Sequence, residues 1–299
     1  MADIPTQPVP QLSSGLPGVR RWPRTGLMLL DKSFYVVAAA AVIWFVYYLV
    51  TFTTQNGQNR LLLDGPPFLQ FTGVTLLVSL FSIVVATLFG FIGALGRLSR
   101  FRVLRWLAAT YVEVVRGTPL YVQLLIWYYP IAQLLANVGF DPFTVAFKFM
   151  TLLQSNSLVP DALNGYFYGI LGLSFNYGAY LTEVFRAGIQ GVDKGQTEAA
   201  LSLGLNGRQV MRHIILPQAI RITVPPFTNY FITLIQDSSF LSLLGVFELE
   251  HFTSLLAQPL NEFSQKMFVF VLGAAFYFAI CFPLGRLARF LESRMAIAY

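Results

Sequence analysis

The sequence predicts an all-α membrane protein with six spans and both termini on one side. Three observations carry this. The chain is 56% hydrophobic and only 11% charged, where a soluble domain carries about 25% charged residues. It lacks the polar surface to cover a globule in water, so the bilayer is its solvent. Apolar stretches of roughly 20 residues, the length of a spanning helix, recur six times. Lys and Arg collect in alternate inter-span segments, which is the positive-inside signal.

The predicted spans run over 33–52, 70–96, 119–138, 166–188, 222–247 and 267–285. Before the first lies a tail whose opening 18 residues are rich in Pro, Ser and Gln, a composition that favours disorder. The first apolar core is too long for a signal peptide, and no Ala-x-Ala-like site follows it before Arg60, so it reads as an uncleaved anchor. Of the 20 Lys and Arg, all but Arg60, Lys148 and Lys266 fall in the tails, between the second and third spans, or around the segment between the fourth and fifth. Those regions are placed in the cytoplasm. Between spans two and three, Phe101, Leu104, Ala108, Tyr111 and Val115 form a helical stripe with arginines beside it, which predicts a helix along the inner surface. Thr118 is placed to cap the next helix, with Pro119 in its first turn. Asp141-Pro142 reads as another helix start, followed by an apolar face at Phe143, Phe147 and Met150 that is too short to span.

The longest basic loop contains Glu198-Ala199-Ala200-Leu201-Ser202-Leu203-Gly204, then nine residues, then Ile214-Ile215-Leu216-Pro217. Ala199 and Ala200 keep one helical face low for close approach by a partner. Gly204 lets the chain turn. Asn206 with Gln209 reads as a capping box for a second short helix, which Pro217 is expected to end. The spacing Glu-Ala-Ala, three residues, Gly, nine residues, Ile, one residue, Leu-Pro resembles the signature loop of the membrane subunits of bacterial ABC importers. Gly73–Ser79, Arg116–Leu120 and Tyr180–Ile189, with Gly195-Gln196 and Gln218-Ala219 flanking the loop, resemble the polar amino-acid uptake branch of these permeases. Gln236-Asp237-Ser238-Ser239 departs from the common version, which has Lys at its first position.

The resemblance implies a type I importer permease fold, with a five-helix core and one extra N-terminal helix. Residues 1–32 are then a cytoplasmic tail, 33–52 the extra helix, and 70–291 the transmembrane domain with a coupling loop at about 189–221. It also implies a bacterial inner-membrane complex. A second permease, identical or homologous, forms the pathway at the interface. A dimer of ATPase subunits binds ATP and Mg, and a periplasmic or lipid-anchored binding protein delivers the substrate. The chain itself has no Gly-x-x-x-x-Gly-Lys-Ser/Thr loop, so the nucleotide belongs to the partner. Coupling residues implied by the motif are Glu198, Ala199, Ala200, Gly204, Ile214, Leu216 and Pro217.

Glu198 either pairs with a basic group of the ATPase or stabilises its own helix N-terminus. Glu183–Arg186 and Glu113–Arg116 have the spacing of intrahelical ion pairs, and Glu183 is alternatively a gate. Asp237 lies inside an apolar segment, where an ionised group needs a partner or water. With Ser238 and Ser239 it either caps a break in the fifth span or meets substrate. Thr75, Ser79, Gln123, Asn176, Tyr177, Tyr180, Asn229, Gln236 and Ser238 are polar at membrane depth, as helix–helix glue or as pathway lining. Outside, Asp64, Asp141, Asp161, Glu248, Glu250 and Glu262 form an acidic rim, either solvated or a docking field for a binding protein.

Cys281 is the one cysteine, and His213 and His251 fall on opposite sides of the predicted topology. No metal site, intramembrane catalytic site or nucleic-acid role is expected, and lipid is the surrounding medium. The competing reading is a secondary transporter or channel that works without ATP, for which Asp237 and interrupted helices are suited. It leaves the signature loop unexplained.

Overall fold

A computed structural model describes residues 65–145 and 163–296, and every regular element among them is helical. The tail, the expected first span at 33–52, and Asp64, Phe147, Lys148, Met150 and Asp161 lie outside the described residues. The elements belong to the larger of two compact units, Pro66–Tyr299.

Helix α1 (Gly65–Leu98) is apolar on all faces, and many of its leucines and phenylalanines point outward. Such a helix needs lipid or protein around it. α2 (Arg102–Arg116) is the expected amphipathic helix. The third predicted span is built in pieces: α3 (Leu120–Ile126), a π-helical turn (Trp127–Ile131) and α4 (Ala132–Asn137). Pro130 lies in that turn. It has no N–H to donate and crowds the preceding turn, and widening to π accommodates both. α5 (Leu163–Gln190) covers the fourth predicted span. α6 (Lys194–Ser202) and α7 (Gly207–Val210) make the loop. A π-helical stretch (Met211–Ile215) leads into α8 (Leu216–Asp237), which tightens into a 3₁₀ segment (Ser238–Leu244). α9 (Leu249–Ala257) and α10 (Phe263–Ala296) complete the chain.

Among the described residues, Pro67–Leu98 and Phe263–Ser293 are each long and apolar enough to cross a membrane. Gly207–Leu244 with Leu249–Ala257, bent by 55°, forms a third candidate. α5 is long enough but carries Asn176, Glu183 and Arg186, and it is the most enclosed helix of the group.

α5 packs most extensively against α8 and also meets α2 and α3. Its glycines allow this. A Cβ on Gly188 would stand 2.2 Å from Thr223 Cγ2 of α8, and one on Gly178 would stand 2.6 Å from Phe89 Cβ of α1, so only glycine lets these helices approach so closely. In a bilayer, where apolar burial gives no drive between helices, such close backbone contact supplies the dispersion energy that holds them. Leu124, Leu173, Leu181, Leu234, Leu241 and Leu244 fill the core around this axis.

Several local expectations are corrected. Thr118 does not cap α3. Its hydroxyl donates back to Val114 O at 2.9 Å and accepts from Gln123 Nε2 at 2.8 Å, while Pro119 holds the cap position. Pro217 does not end a helix. It sits in the first turn of α8, where its missing N–H is tolerated, and the π stretch carries the helix through to it. Glu113 and Arg116 form no ion pair; the Arg116 guanidinium lies 5.2 Å over the Tyr180 ring. The break after Asp237 exists, but the Asp237 side chain does not cap it. Glu248 is no solvated rim residue, being fully buried. The Asp141 helix start forms as expected, with Thr144 N donating to Asp141 Oδ2 at 2.9 Å.

Candidate functional site

The loop is assembled from complementary caps. Asp193 opens α6, its Oδ1 accepting from Gly195 N at 2.6 Å. Glu198 lies beyond the first turn, so the helix N-terminus is served by Asp193 and the Glu198 carboxylate stays exposed. At the other end Gly204 takes φ +84°. Gly204 N bonds Leu201 O at 3.0 Å and Leu205 N bonds Ala200 O at 3.2 Å, the paired bonds of a Schellman cap. The chain then re-enters helix through Asn206 and Gln209, which exchange side-chain bonds at 2.9 and 3.0 Å.

The motif residues divide by exposure. Glu198, Ala199, Gly204, Leu216 and Pro217 are exposed, Ile214 is half-buried and Ala200 is buried. Ala200 is therefore part of the internal cap and lies beneath the loop's outer surface. Leu203, given no role by the sequence reading, is 81% exposed at the turn. The signal was available: the residue before a left-handed C′ glycine closes the helix and is carried to its tip.

The loop is tied to the spanning helices. Gln218 on α8 donates to Gln196 on α6 and, at 3.0 Å, to Ile214 O. On α5, Glu183 holds Arg186 at 2.6 Å and Arg97 of α1 at 3.2 Å. Glu183 is thus the centre of a three-residue ion cluster that ties α1 to α5.

A second polar group lies where α8 changes to 3₁₀. Tyr177 OH donates to Asp237 Oδ2 at 2.6 Å. The Tyr180 and Tyr230 ring centroids are 5.4 Å apart, and each lies within 6.5 Å of Tyr177. Asn229 and Gln236 are exposed on α8, and Tyr180 is half-exposed. The remaining pathway candidates are enclosed. Thr75, Ser79 and Ser238 are fully buried, and Asn176 donates to Gln123 Oε1 at 3.1 Å while Gln123 donates to Val115 O at 2.7 Å. Gln123 and Asn176 join α3 to α5, and Ser238 bonds Ile235 O at 2.8 Å within its own turn.

The Glu248 cluster is the feature that sequence reasoning missed. Its carboxylate accepts from Glu250 N at 2.9 Å, His251 N at 2.7 Å and Tyr277 OH at 2.8 Å. Thr75 of α1 stands 3.4 Å away and accepts from Leu249 N. One buried acid thus starts α9 and links it to α1 and α10. Its flanking residues Val246, Phe247 and Leu249 are apolar, the same cue that singled out Asp237. Beside it a cavity of about 250 Å³ is lined by Gln236, Ser239, Glu250, Thr253 and Tyr277.

A glycine-capped loop rooted in apolar helices, with a polar group near a helix break, fits a membrane transport subunit. Residues 86–297 match the family of binding-protein-dependent transport system inner membrane components, and the chain belongs to it. It is a multi-pass inner-membrane permease subunit, not itself catalytic. Similar proteins include the L-cystine transport system permease protein TcyB of Bacillus subtilis, 34% identical over 74% of this chain and 83% of that one. The probable glutamine ABC transporter permease protein GlnM of the same organism is 33% identical over 75% and 91%. Among solved structures, an amino acid ABC transporter crystallised with histidines aligns at TM-score 0.64 and 29% identity, covering 79% of this chain and 97% of that one. The MetNI methionine ABC transporter shares the fold at TM-score 0.52 and 17% identity.

Proposed function

We propose that this chain forms, with a second identical or homologous permease, the pathway of an ATP-driven importer of polar amino acids. A partner ATPase dimer holds ATP and Mg and receives the loop around Glu198–Pro217. A periplasmic or lipid-anchored binding protein delivers the substrate, and the loop and termini lie in the cytoplasm. The observation that carries this reading is the loop itself: a doubly capped turn with Glu198, Ala199 and Leu203 on its surface, continuous through the π stretch with α8. A rigid element of this kind transmits displacement, and alternating access needs two packings of the spans that differ in affinity.

The pathway residues supported by exposure are Tyr180, Asn229, Gln236 and Asp237, with Tyr177 holding Asp237. The α-amino and α-carboxylate groups of an amino acid need such donors and acceptors. The relatives named for cystine and glutamine and the amino-acid transporter structure support the substrate class. An ATP-independent transporter would leave the loop without a partner.

The test is the purified complex with its binding protein, assayed for ATP hydrolysis against a panel of amino acids. Hydrolysis stimulated by one polar amino acid and not by sugars or inorganic ions is the expected result. Vesicles that accumulate solute without the ATPase would overturn the reading.

A further inference from the structure

A groove of about 470 Å³ runs between α1, α2 and α5, within the ~300–1,000 Å³ range of small-molecule sites. Phe89, Ile92, Leu95, Leu104, Leu107 and Phe175 line it. Its one phenol, Tyr111 OH, is already committed to Phe175 O at 2.7 Å. The polar atoms sit at one end, around Ser99, where Arg105 Nη1 reaches Ser99 O at 3.5 Å and Phe101 N donates to Ser99 Oγ.

That end is strongly cationic. Arg100, Arg102 and Arg105 are exposed there, and none has a carboxylate within 4 Å among the described residues, in contrast to Arg97, which is paired with Glu183. The 15-residue helix α2 also starts there with no side-chain cap, leaving first-turn N–H groups without an intrahelical partner. The site is therefore hydrocarbon along its length and anion-seeking at its mouth.

We propose that this groove binds an anionic phospholipid, its acyl chain against α1 and α2 and its phosphate at Ser99–Arg105. Arginine clusters flanking a spanning helix attract anionic lipid, and helix N-termini accept phosphate. A zwitterionic lipid brings the same phosphate but sets a quaternary ammonium beside the three arginines, which cancels the net attraction, and a polar solute would leave the groove unfilled. Placement in the inner leaflet rests on the orientation proposed above, but binding itself does not.

The experiment uses the delipidated complex of this chain with its ATPase, titrated with phosphatidylglycerol or phosphatidylcholine of matched acyl chains, with retained lipid read by native mass spectrometry. Phosphatidylglycerol is retained and phosphatidylcholine is not. Arg100→Gln with Arg105→Gln weakens retention by about five-fold per arginine, about thirty-fold together. Leu107→Trp, which fills the groove and leaves the arginines intact, also abolishes retention, and glycerol phosphate does not compete. Equal retention of the two lipids, or unchanged retention in the arginine pair, overturns the proposal. So does wild-type retention in Leu107→Trp, which would mean surface charge alone. A Leu104→Cys disulfide between two copies of this chain in native membranes would show that protein covers the groove, and would also overturn it. If Leu107→Trp does not assemble, the arginine pair decides. Lipid mass is read on the chain whether or not ATP is hydrolysed, so failure here is separable from failure of the transport reading.

Discussion

Gly204 occupies φ +84° with no atom within 4 Å of where a Cβ would stand. The requirement there is conformational, not steric. An L-residue in the left-handed region costs about 1–2 kcal/mol, small beside the stability of the helical core but large for a nine-residue helix held by its caps. Gly204→Val is therefore expected to leave the protein inserted and abundant while displacing Leu203 and Glu198 at the turn. Uptake and ATPase co-purification should both fall at least ten-fold, and normal uptake would remove the turn from the docking surface. Glu248 poses the opposite problem. Its carboxylate accepts from two backbone amides and a tyrosine in a fully buried place. Glu248→Ala leaves those donors unsatisfied, and an orphaned buried group costs about 1–3 kcal/mol. Glu248→Gln keeps one acceptor oxygen and should lose less. Thermal unfolding of the purified complex checks this order; equal destabilisation by both variants would show that the negative charge, not the acceptor geometry, holds the junction.

At the scale of elements, the sequence was most legible where one local rule acts alone. The amphipathic stripe of α2, the Asn206–Gln209 capping box, the Gly204 turn and the Asp141 helix start all form as their residue patterns predict. The capping box and the Gly204 turn are decided within two turns of chain, while the Asp141 start is completed by Asn164, which donates to Asp141 Oδ1 and accepts from Phe143 N. Legibility failed where a distant neighbour competes. Thr118 had the right residue type for a cap, but the Gln123 amide and the end of α2 claim its hydroxyl. Arg116 had an acid three residues away, yet the face of Tyr180, brought in by α5, takes the guanidinium. Pro217 looked like a stop because the preceding π stretch, which carries the helix into it, leaves no mark in hydropathy. Glu248 looked exposed because a span boundary placed at Phe247 assumed a straight helix, whereas the 3₁₀ segment and the 55° bend fold the chain inward. Of the candidate site, the exposure of the loop was readable except that Ala200 is buried and Leu203 stands out at its tip. The pathway set was not, since hydropathy marks a residue as polar at depth without telling which side of the helix meets a neighbour.

For the whole molecule, the decisive fact is that helix persists from Gly207 through the π stretch to Asp237. At 1.5 Å per residue that run is roughly 45 Å long. One end lies beside the Gly204 turn, for which a docking role is proposed, joined to α6 through Gln196 and Gln218. The other end holds Asp237 against Tyr177. A force applied at the turn reaches the polar group as far as this helix resists bending, and its weakest stretch is at Pro225 and Pro226, which donate no hydrogen bond to the preceding turn. Ile220 is 52% exposed and Arg221 is exposed, one turn past Pro217, so replacing the pair by glycine removes little packing and costs about 1 kcal/mol per residue of helix preference. The Ile220→Gly, Arg221→Gly variant should still bind the ATPase and support hydrolysis, since the docking turn is untouched. Uptake per ATP hydrolysed should drop several-fold, because the softened helix absorbs the displacement. Measuring both rates on the same proteoliposomes separates the two. An unchanged ratio would mean that α5, packed along α8 and anchored to α1 by the Glu183 cluster, carries the motion in its place.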